Sequence, residues 1–195
     1  LGMARGLPAP GGWLALPSEG GHREFAPRTS DEWALAQWLR KDLNLERLSI
    51  ERIVSGTGLG HVMHWLLQQD QAAGHPLTDH AHAWRHIPAD QAGYEDLPAH
   101  TGKAAAAGDP IASAALRIWL GAYGSAAGDL ALHELSVGGL WIGGGTAEKN
   151  LDGLQSEQFL EPLRAKGRFR PLIESMTIRA VIDPCLLYTS PSPRD

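Results

Sequence analysis

Apolar and polar positions along the chain predict short strands first and helices after them. Apolar runs at residues 1–7 and 12–16 flank Pro8-Ala9-Pro10-Gly11 and predict two short strands in a hairpin-like arrangement. Ser30, followed by Asp31 and Glu32, predicts a capped helix start with acids in its first turn. Trp33, Ala34 and Trp38 fall on one face of that helix, which is expected to end near Leu43. Residues 49–52 predict a helical turn and Ile53-Val54 a short buried strand. Gly56-Thr57-Gly58 then leads into an apolar-periodic helix over 59–69, a strand-to-helix junction of the kind that places ligands in α/β domains. Residues 74–97 show no periodicity and are expected to be irregular. An alanine-rich helix over 99–107 stops at Gly108-Asp109-Pro110. Asp109 caps the next helix, 111 to about 135, with Pro110 at its first position. The small residues Gly121, Gly124, Ala126, Ala127 and Gly128 imply close approach of a neighbouring element. A buried strand over 138–142 precedes Gly143-Gly144-Gly145, a helix covers about 152–165, and 176–182 alternates into a last strand. This order of strands and helices predicts an α/β class.

Composition narrows the reading. The 195 residues are 43% hydrophobic and 20% charged, enough to bury a core. A net charge of -5 argues against a nucleic-acid face, so no nucleic-acid partner is expected. The apolar runs are short and interrupted, so no membrane partner is expected either. A single cysteine, Cys185, fits a reducing compartment and a cytoplasmic location. The chain opens on Leu1 and is read as an internal fragment. Residues 185–195 resemble the translation of a sequencing-library adapter and are excluded from fold reasoning as a non-native scar.

The chemistry concentrates in Ser18-Glu19-Gly20-Gly21-His22. Paired glycines let the backbone turn tightly. The flanking carboxylate accepts hydroxyl hydrogen bonds, and a neutral imidazole donates one and accepts one, a pairing suited to a polyol. Gly56-Thr57-Gly58 and Gly143-Gly144-Gly145 each offer backbone N–H groups to an anion, although neither is a Walker or GxGxxG loop. His75, His80, His82 and His86 match no ordinary zinc template and have no supporting cysteine; they are read as solvent-facing, with no metal assigned. A zinc hydrolase built on these histidines ranks third among the functional readings.

Together these stretches resemble the bacterial glucokinase family, sugar kinases on the ribonuclease H-like/actin-like ATPase fold. Leu16-Pro17-Ser18-Glu19-Gly20-Gly21-His22 with Phe25-Ala26-Pro27 is similar to the family's LPGEGGHxxFAP signature, with Ser18 in place of Gly. Glu51-Arg52-Ile53-Val54-Ser55-Gly56-Thr57-Gly58-Leu59 is similar to its ERVLSGPGL segment. Leu1-Gly2, Ala107-Gly108-Asp109-Pro110, Leu140-Trp141-Ile142-Gly143-Gly144-Gly145 and Lys166-Gly167-Arg168-Phe169 follow in the family's order. The Cys-rich zinc motif of related repressor-type kinases is absent, which points to the zinc-free subfamily.

The resemblance implies that residues 1–184 are most of the larger, C-terminal α/β lobe of a two-lobed sugar kinase. It implies ATP-dependent phosphorylation of glucose to glucose 6-phosphate in glycolysis, with ATP and Mg2+ as cofactors. Glu19, His22 and Glu51 would bind glucose, and Gly144 and Gly145 would lie against the nucleotide. The catalytic Asp is expected upstream of this chain, so the fragment itself is expected to be inactive. A homodimer is a further expectation. The alternative is a non-catalytic sugar-binding or regulatory protein on the same fold.

Overall fold

The computed structural model describes residues 1–182; the tail assigned above to 185–195 lies outside the described residues. In chain order the elements are β1 (Met3–Ala9), β2 (Gly12–Ser18), a 3-10 turn (Gly20–His22), α1 (Ser30–Asp42), a second 3-10 turn (Ile50–Arg52), α2 (Gly56–Leu67) and α3 (Thr78–His86). They continue as α4 (Leu97–Ala106), α5 (Pro110–Glu134), β3 (Leu140–Ile142), α6 (Gly145–Lys149), α7 (Leu151–Gln155), α8 (Glu157–Arg164), α9 (Arg170–Ser175) and β4 (Ile178–Ala180). The class is mixed α/β, as expected. Among the described residues, 1–23 with 123–182 form one compact unit, and residues 24–122 form a second.

In the first unit β1 and β2 pair antiparallel from Met3↔Ser18 to Ala9↔Gly12. The connection is only Pro10-Gly11, shorter than the expected four residues, because Gly11 at φ +88° closes a tight hairpin. Both strands are edges of a two-stranded ribbon, so Pro8 and Pro17 are tolerated within them. β3 and β4 pair in parallel, Leu140 opposite Ile178, with α6 to α9 forming the helical crossover that a parallel pair requires. Phe159, Leu163 and Ile173 are fully buried in this unit. The expected close approach to the small residues of α5 is present. A Cβ on Gly124 would stand 2.0 Å from the Phe159 carbonyl oxygen, and one on Gly128 would stand 2.3 Å from that of Leu163. Lys166 reinforces the contact: its Nζ donates to Asp129 Oδ1 at 2.7 Å and to the Ser125 carbonyl at 3.0 Å. The helix expected over 152–165 is broken. Ser156 is extended (φ -81°, ψ 157°) and its hydroxyl donates to the Gly153 carbonyl, a local bond that competes with the helical one.

In the second unit α1 buries Glu32, Leu35, Ala36 and Leu39, while Trp33 is 59% exposed. The apolar face therefore differs from the expected Trp33, Ala34 and Trp38. The spacing 32, 35, 36, 39 is itself helical, and Glu32 can join the face because it accepts from the Arg28 backbone and guanidinium. The cap is Thr29 rather than Ser30, its hydroxyl accepting from the Glu32 N–H at 3.1 Å. Ile53 and Val54 are buried but form no strand; both amides bond back to the Ile50 carbonyl, so the segment is a turn. The tract expected to be irregular contains α3, which has room between Pro76 and Pro88 and buries Ala81.

Two starts of helices hold this unit in register. At α5, Asp109 Oδ1 accepts from the Ala112 N–H at 2.7 Å, as expected of the cap. Its other oxygen lies 3.0 Å from His75 Nε2. His75 Nδ1 accepts from the Leu77 N–H, so Nε2 is the nitrogen that donates to Asp109. The His75 side chain is only 9% exposed, which corrects its expected solvent-facing role. Burial pushes the Asp109 carboxyl up, but the Ala112 N–H and His75 together hold it below the usual carboxylate range. At α2, Ser55 Oγ accepts from the Gly58 N–H at 2.9 Å, and a Cβ on Gly58 would stand 1.8 Å from the Ile53 carbonyl oxygen.

These starts yield two expected outcomes. Asp109→Ala should cost about 1–2 kcal/mol by urea denaturation at pH 7. Because the folded carboxyl titrates below its unfolded counterpart, its contribution is fully present above the ordinary carboxylate range and is lost as pH falls through the folded value. The difference between wild type and variant should shrink over that acidic window, and a pH-independent difference would contradict the assignment. Gly58→Ala would gain up to ~1 kcal/mol from helix propensity were the site open. The carbonyl contact should reverse that sign and give a net loss of about 1–3 kcal/mol; an increase in the denaturation midpoint would refute the contact.

Candidate active site

The Glu-Gly-Gly-His segment is a single 3-10 turn at the end of the hairpin. His22 N–H donates to the Glu19 carbonyl at 2.9 Å, and Arg23 N–H to that of Gly20 at 3.2 Å. The turn is pinned on both sides. Gly20 N–H donates to Ser18 Oγ at 3.0 Å. Gly21 faces the Leu1 carbonyl so closely that a Cβ would stand 2.0 Å from its oxygen. Just beyond, the Arg23 guanidinium donates to the Ala126 carbonyl of α5 at 3.2 Å. The two side chains singled out in the sequence come together: Glu19 Oε2 and His22 Nε2 are 3.6 Å apart, with 72% and 49% of the side chains exposed.

Glu51 belongs to the other unit. It lies half-buried in the 3-10 turn Ile50–Arg52, between buried Ile50 and buried Ile53. Three further residues, none of them singled out in the sequence, brace that turn. Ser55 caps α2 through its hydroxyl and accepts the Trp119 indole N–H on its carbonyl at 3.0 Å. His61 Nδ1 lies 2.9 Å from the Arg52 carbonyl; a carbonyl only accepts, so Nδ1 carries the proton. Burial pushes the His61 imidazole below its ordinary range, although the Arg52 hydrogen bond opposes the shift, and this keeps the brace neutral. The spacing from Ser55 to Gly58 was the available signal for the cap; the Trp119 contact spans 64 residues and left none. On the entering side, Glu24 bridges Ser49, and the Phe25 N–H donates to the Leu48 carbonyl at 2.9 Å.

The glycine loop after β3 does form a strand-to-helix junction. Gly144 sits at φ +102°, in the region that favours glycine, and precedes α6. Among the described residues, apart from chain neighbours and the helix's own backbone, no atom lies within 4 Å of where a Cβ on Gly144 or Gly145 would stand, so the backbone there is open on that side. The Gly56-Thr57-Gly58 stretch is different: it lies within the first turn of α2, with no strand before it. Among the described residues no helix is long and apolar enough to cross a membrane.

Comparison with known proteins fits this arrangement. A protein-family model for glucokinase matches residues 1–186. A glucokinase of Trichormus variabilis is 36% identical over 174 residues, which cover 88% of this chain and 51% of the relative. One of Synechocystis is 35% identical over 175 residues, 89% of this chain and 49% of the relative. The crystal structure of a glucokinase from an Antarctic psychrotroph superposes with a TM-score of 0.65 at 27% identity, over 92% of this chain and 52% of that one. A glucokinase of Balamuthia mandrillaris, solved in complex with glucose, shares the fold with a TM-score of 0.68 at 24% identity, over 91% of this chain and 46% of that one. The chain thus spans about half the length of the relatives it matches. The match across nearly the whole described chain, with the Glu-Gly-Gly-His turn and the braced Glu51 turn inside it, places this chain in the glucokinase family.

Proposed function

We propose that the protein to which this chain belongs transfers a phosphoryl group from ATP, as its Mg2+ complex, to the 6-hydroxyl of glucose in the cytoplasm, as the entry step of glycolysis. Residues 1–184 are its C-terminal lobe, and their share of the work is to grip the sugar and to flank the nucleotide. Glu19, His22 and Glu51 bind sugar hydroxyls. Gly144 and Gly145 lie on the adenosine side of the nucleotide.

The observation that carries this reading is the Glu19–His22 pair. Its two polar atoms stand 3.6 Å apart at an exposed turn. A sugar hydroxyl seated against both would make hydrogen bonds of about 2.7–3.0 Å to each. The carboxylate takes the hydroxyl proton as acceptor, and the imidazole serves as donor or acceptor to the same or the adjacent oxygen. The rigidity of the turn matters as much as its chemistry. Gly21 against Leu1 and the Ser18 hydrogen bond hold the backbone of the turn in one geometry, so little backbone ordering is left for binding. Glu51 is assigned to the same ligand because its segment is similar to the family's ERVLSGPGL segment.

The open backbone at Gly144 and Gly145 is consistent with close approach of a nucleotide there. No residue of this chain is assigned to Mg2+. ATP supplies the transferable phosphoryl group when bound, and the chain's contribution is to orient the acceptor hydroxyl toward it. The catalytic Asp belongs to a part of the protein outside these residues, and two copies of the protein form a dimer.

Glu51→Gln and Glu19→Gln in the full-length protein should each weaken glucose binding by roughly 10- to 100-fold, the worth of one charge-assisted hydrogen bond. Calorimetric titration with glucose measures this, and ATP affinity should be unchanged. Wild-type glucose affinity in both variants would refute the sugar role. The isolated 195 residues should show no ATP-dependent glucose phosphorylation in a coupled assay; robust turnover would place the catalytic base within this chain.

A further inference from the structure

Three side chains that the sugar-kinase reading leaves unused converge in the 24–122 unit. His80 comes from α3, Glu95 from the segment that joins α3 to α4, and His100 from α4. His100 Nε2 lies 2.7 Å from Glu95 Oε2, and His80 Nε2 lies 4.0 Å from the same oxygen. The two imidazoles face each other with centroids 4.4 Å apart and planes inclined by 63°. One ligand atom from each residue falls within a span of 4.8 Å.

His80 is the member that hydrogen bonding does not explain. Its Nδ1 is buried with no hydrogen-bond partner, and its Nε2 is beyond hydrogen-bond reach of Glu95. Leaving a buried polar nitrogen unmatched is costly, and nearly all such groups in folded proteins find a partner. His75, His61 and His100 each have one. An ion between His80, His100 and Glu95 would engage His80 through Nε2, the ring nitrogen that faces Glu95, on the other side of the ring from the buried Nδ1.

We propose that His80 Nε2, His100 Nε2 and a carboxylate oxygen of Glu95 bind a divalent transition metal, with zinc as the best match. Two imidazole nitrogens with one carboxylate oxygen is a borderline donor set, suited to zinc and its neighbours rather than to Mg2+ or Ca2+, which require oxygen shells. Ligands at about 2.1 Å from a tetrahedral centre stand roughly 3.4 Å apart. The separations of 2.7 and 4.0 Å to the Glu95 oxygen bracket that value, so small side-chain rotations complete the geometry. The side chains are 30–41% exposed, which leaves water access to the fourth position. The site ties α3 to α4 across the segment between them and so acts as a structural staple. The sequence hid it, because His100 lies beyond the histidine-bearing tract and Glu95 stands nine residues after the last of its histidines.

The experiment is titration of the 195-residue chain with zinc chloride in competition with a chromophoric chelator, together with thermal melts. The expected result is one zinc per chain and a raised melting temperature with zinc. His80→Asn, His100→Asn and Glu95→Gln should each lower zinc affinity by at least about tenfold and abolish the thermal shift. His82 and His86, exposed on the same helix with ring centroids 4.6 Å apart and planes inclined by 50°, are the internal control. The His82→Asn/His86→Asn double variant should bind zinc as the wild type does. Absence of zinc uptake, uptake that survives His80→Asn/His100→Asn, or loss that follows His82 and His86 overturns the proposal. Should a variant fail to fold, zinc-induced shifts of the wild-type imidazole signals by NMR decide the matter. Shifts at His80 and His100 support the site, and shifts at His82 and His86 alone refute it.

Discussion

Carbonyl oxygens packed against glycine α-carbons are the constraint on which the rest of this chain depends. The Leu1 carbonyl occupies the place where a Cβ of Gly21 would stand, and the Ile53 carbonyl does the same at Gly58. On α5, Gly124 and Gly128 receive the carbonyls of Phe159 and Leu163. Close-packed interiors have no slack to absorb a methyl group at such points. The first two contacts set the turns that carry Glu19, His22 and Glu51; the other two seat α8 on α5. Glycine here is a requirement of distance between backbones, separate from its freedom in φ.

Several polar groups withdrawn from water are matched around these contacts. Glu32 is 2% exposed and is bonded by the Arg28 backbone and guanidinium. Lys166, 8% exposed, finds Asp129 and the Ser125 carbonyl. Asp109 serves both the start of α5 and His75. Pairs of this kind add little net stability over an apolar alternative, but breaking one leaves a buried group unmatched. They act by excluding other arrangements of the same helices. His61 is the extreme case: burial keeps it neutral, and as a neutral donor it fixes the Arg52 carbonyl beside Glu51.

The chain belongs to the glucokinase family. The chain corresponds to about half of its relatives, and within that half the residues suited to hydroxyls sit on turns with little freedom. On the proposed reading, preorganisation of this sort lowers the entropic cost of holding a sugar and leaves binding energy available for orienting the reacting hydroxyl.

The sequence by itself was sufficient for the motif positions, the α/β class, the Asp109–Pro110 helix start and the small-residue stripe on α5. Each is written in a few neighbouring residues or in a 3.6-residue period, so local stereochemistry decides it. Tertiary structure alone decided the rest. Trp33 is exposed and Glu32 buried because a partner at Arg28, not hydropathy, selects the face of α1. Ile53 and Val54 form a turn because their amides are satisfied by Ile50, so burial came without a strand. The Trp119 brace on Ser55 and the gathering of His80, Glu95 and His100 join residues far apart in the chain. Such contacts depend on how helices pack, and no short window of sequence encodes that.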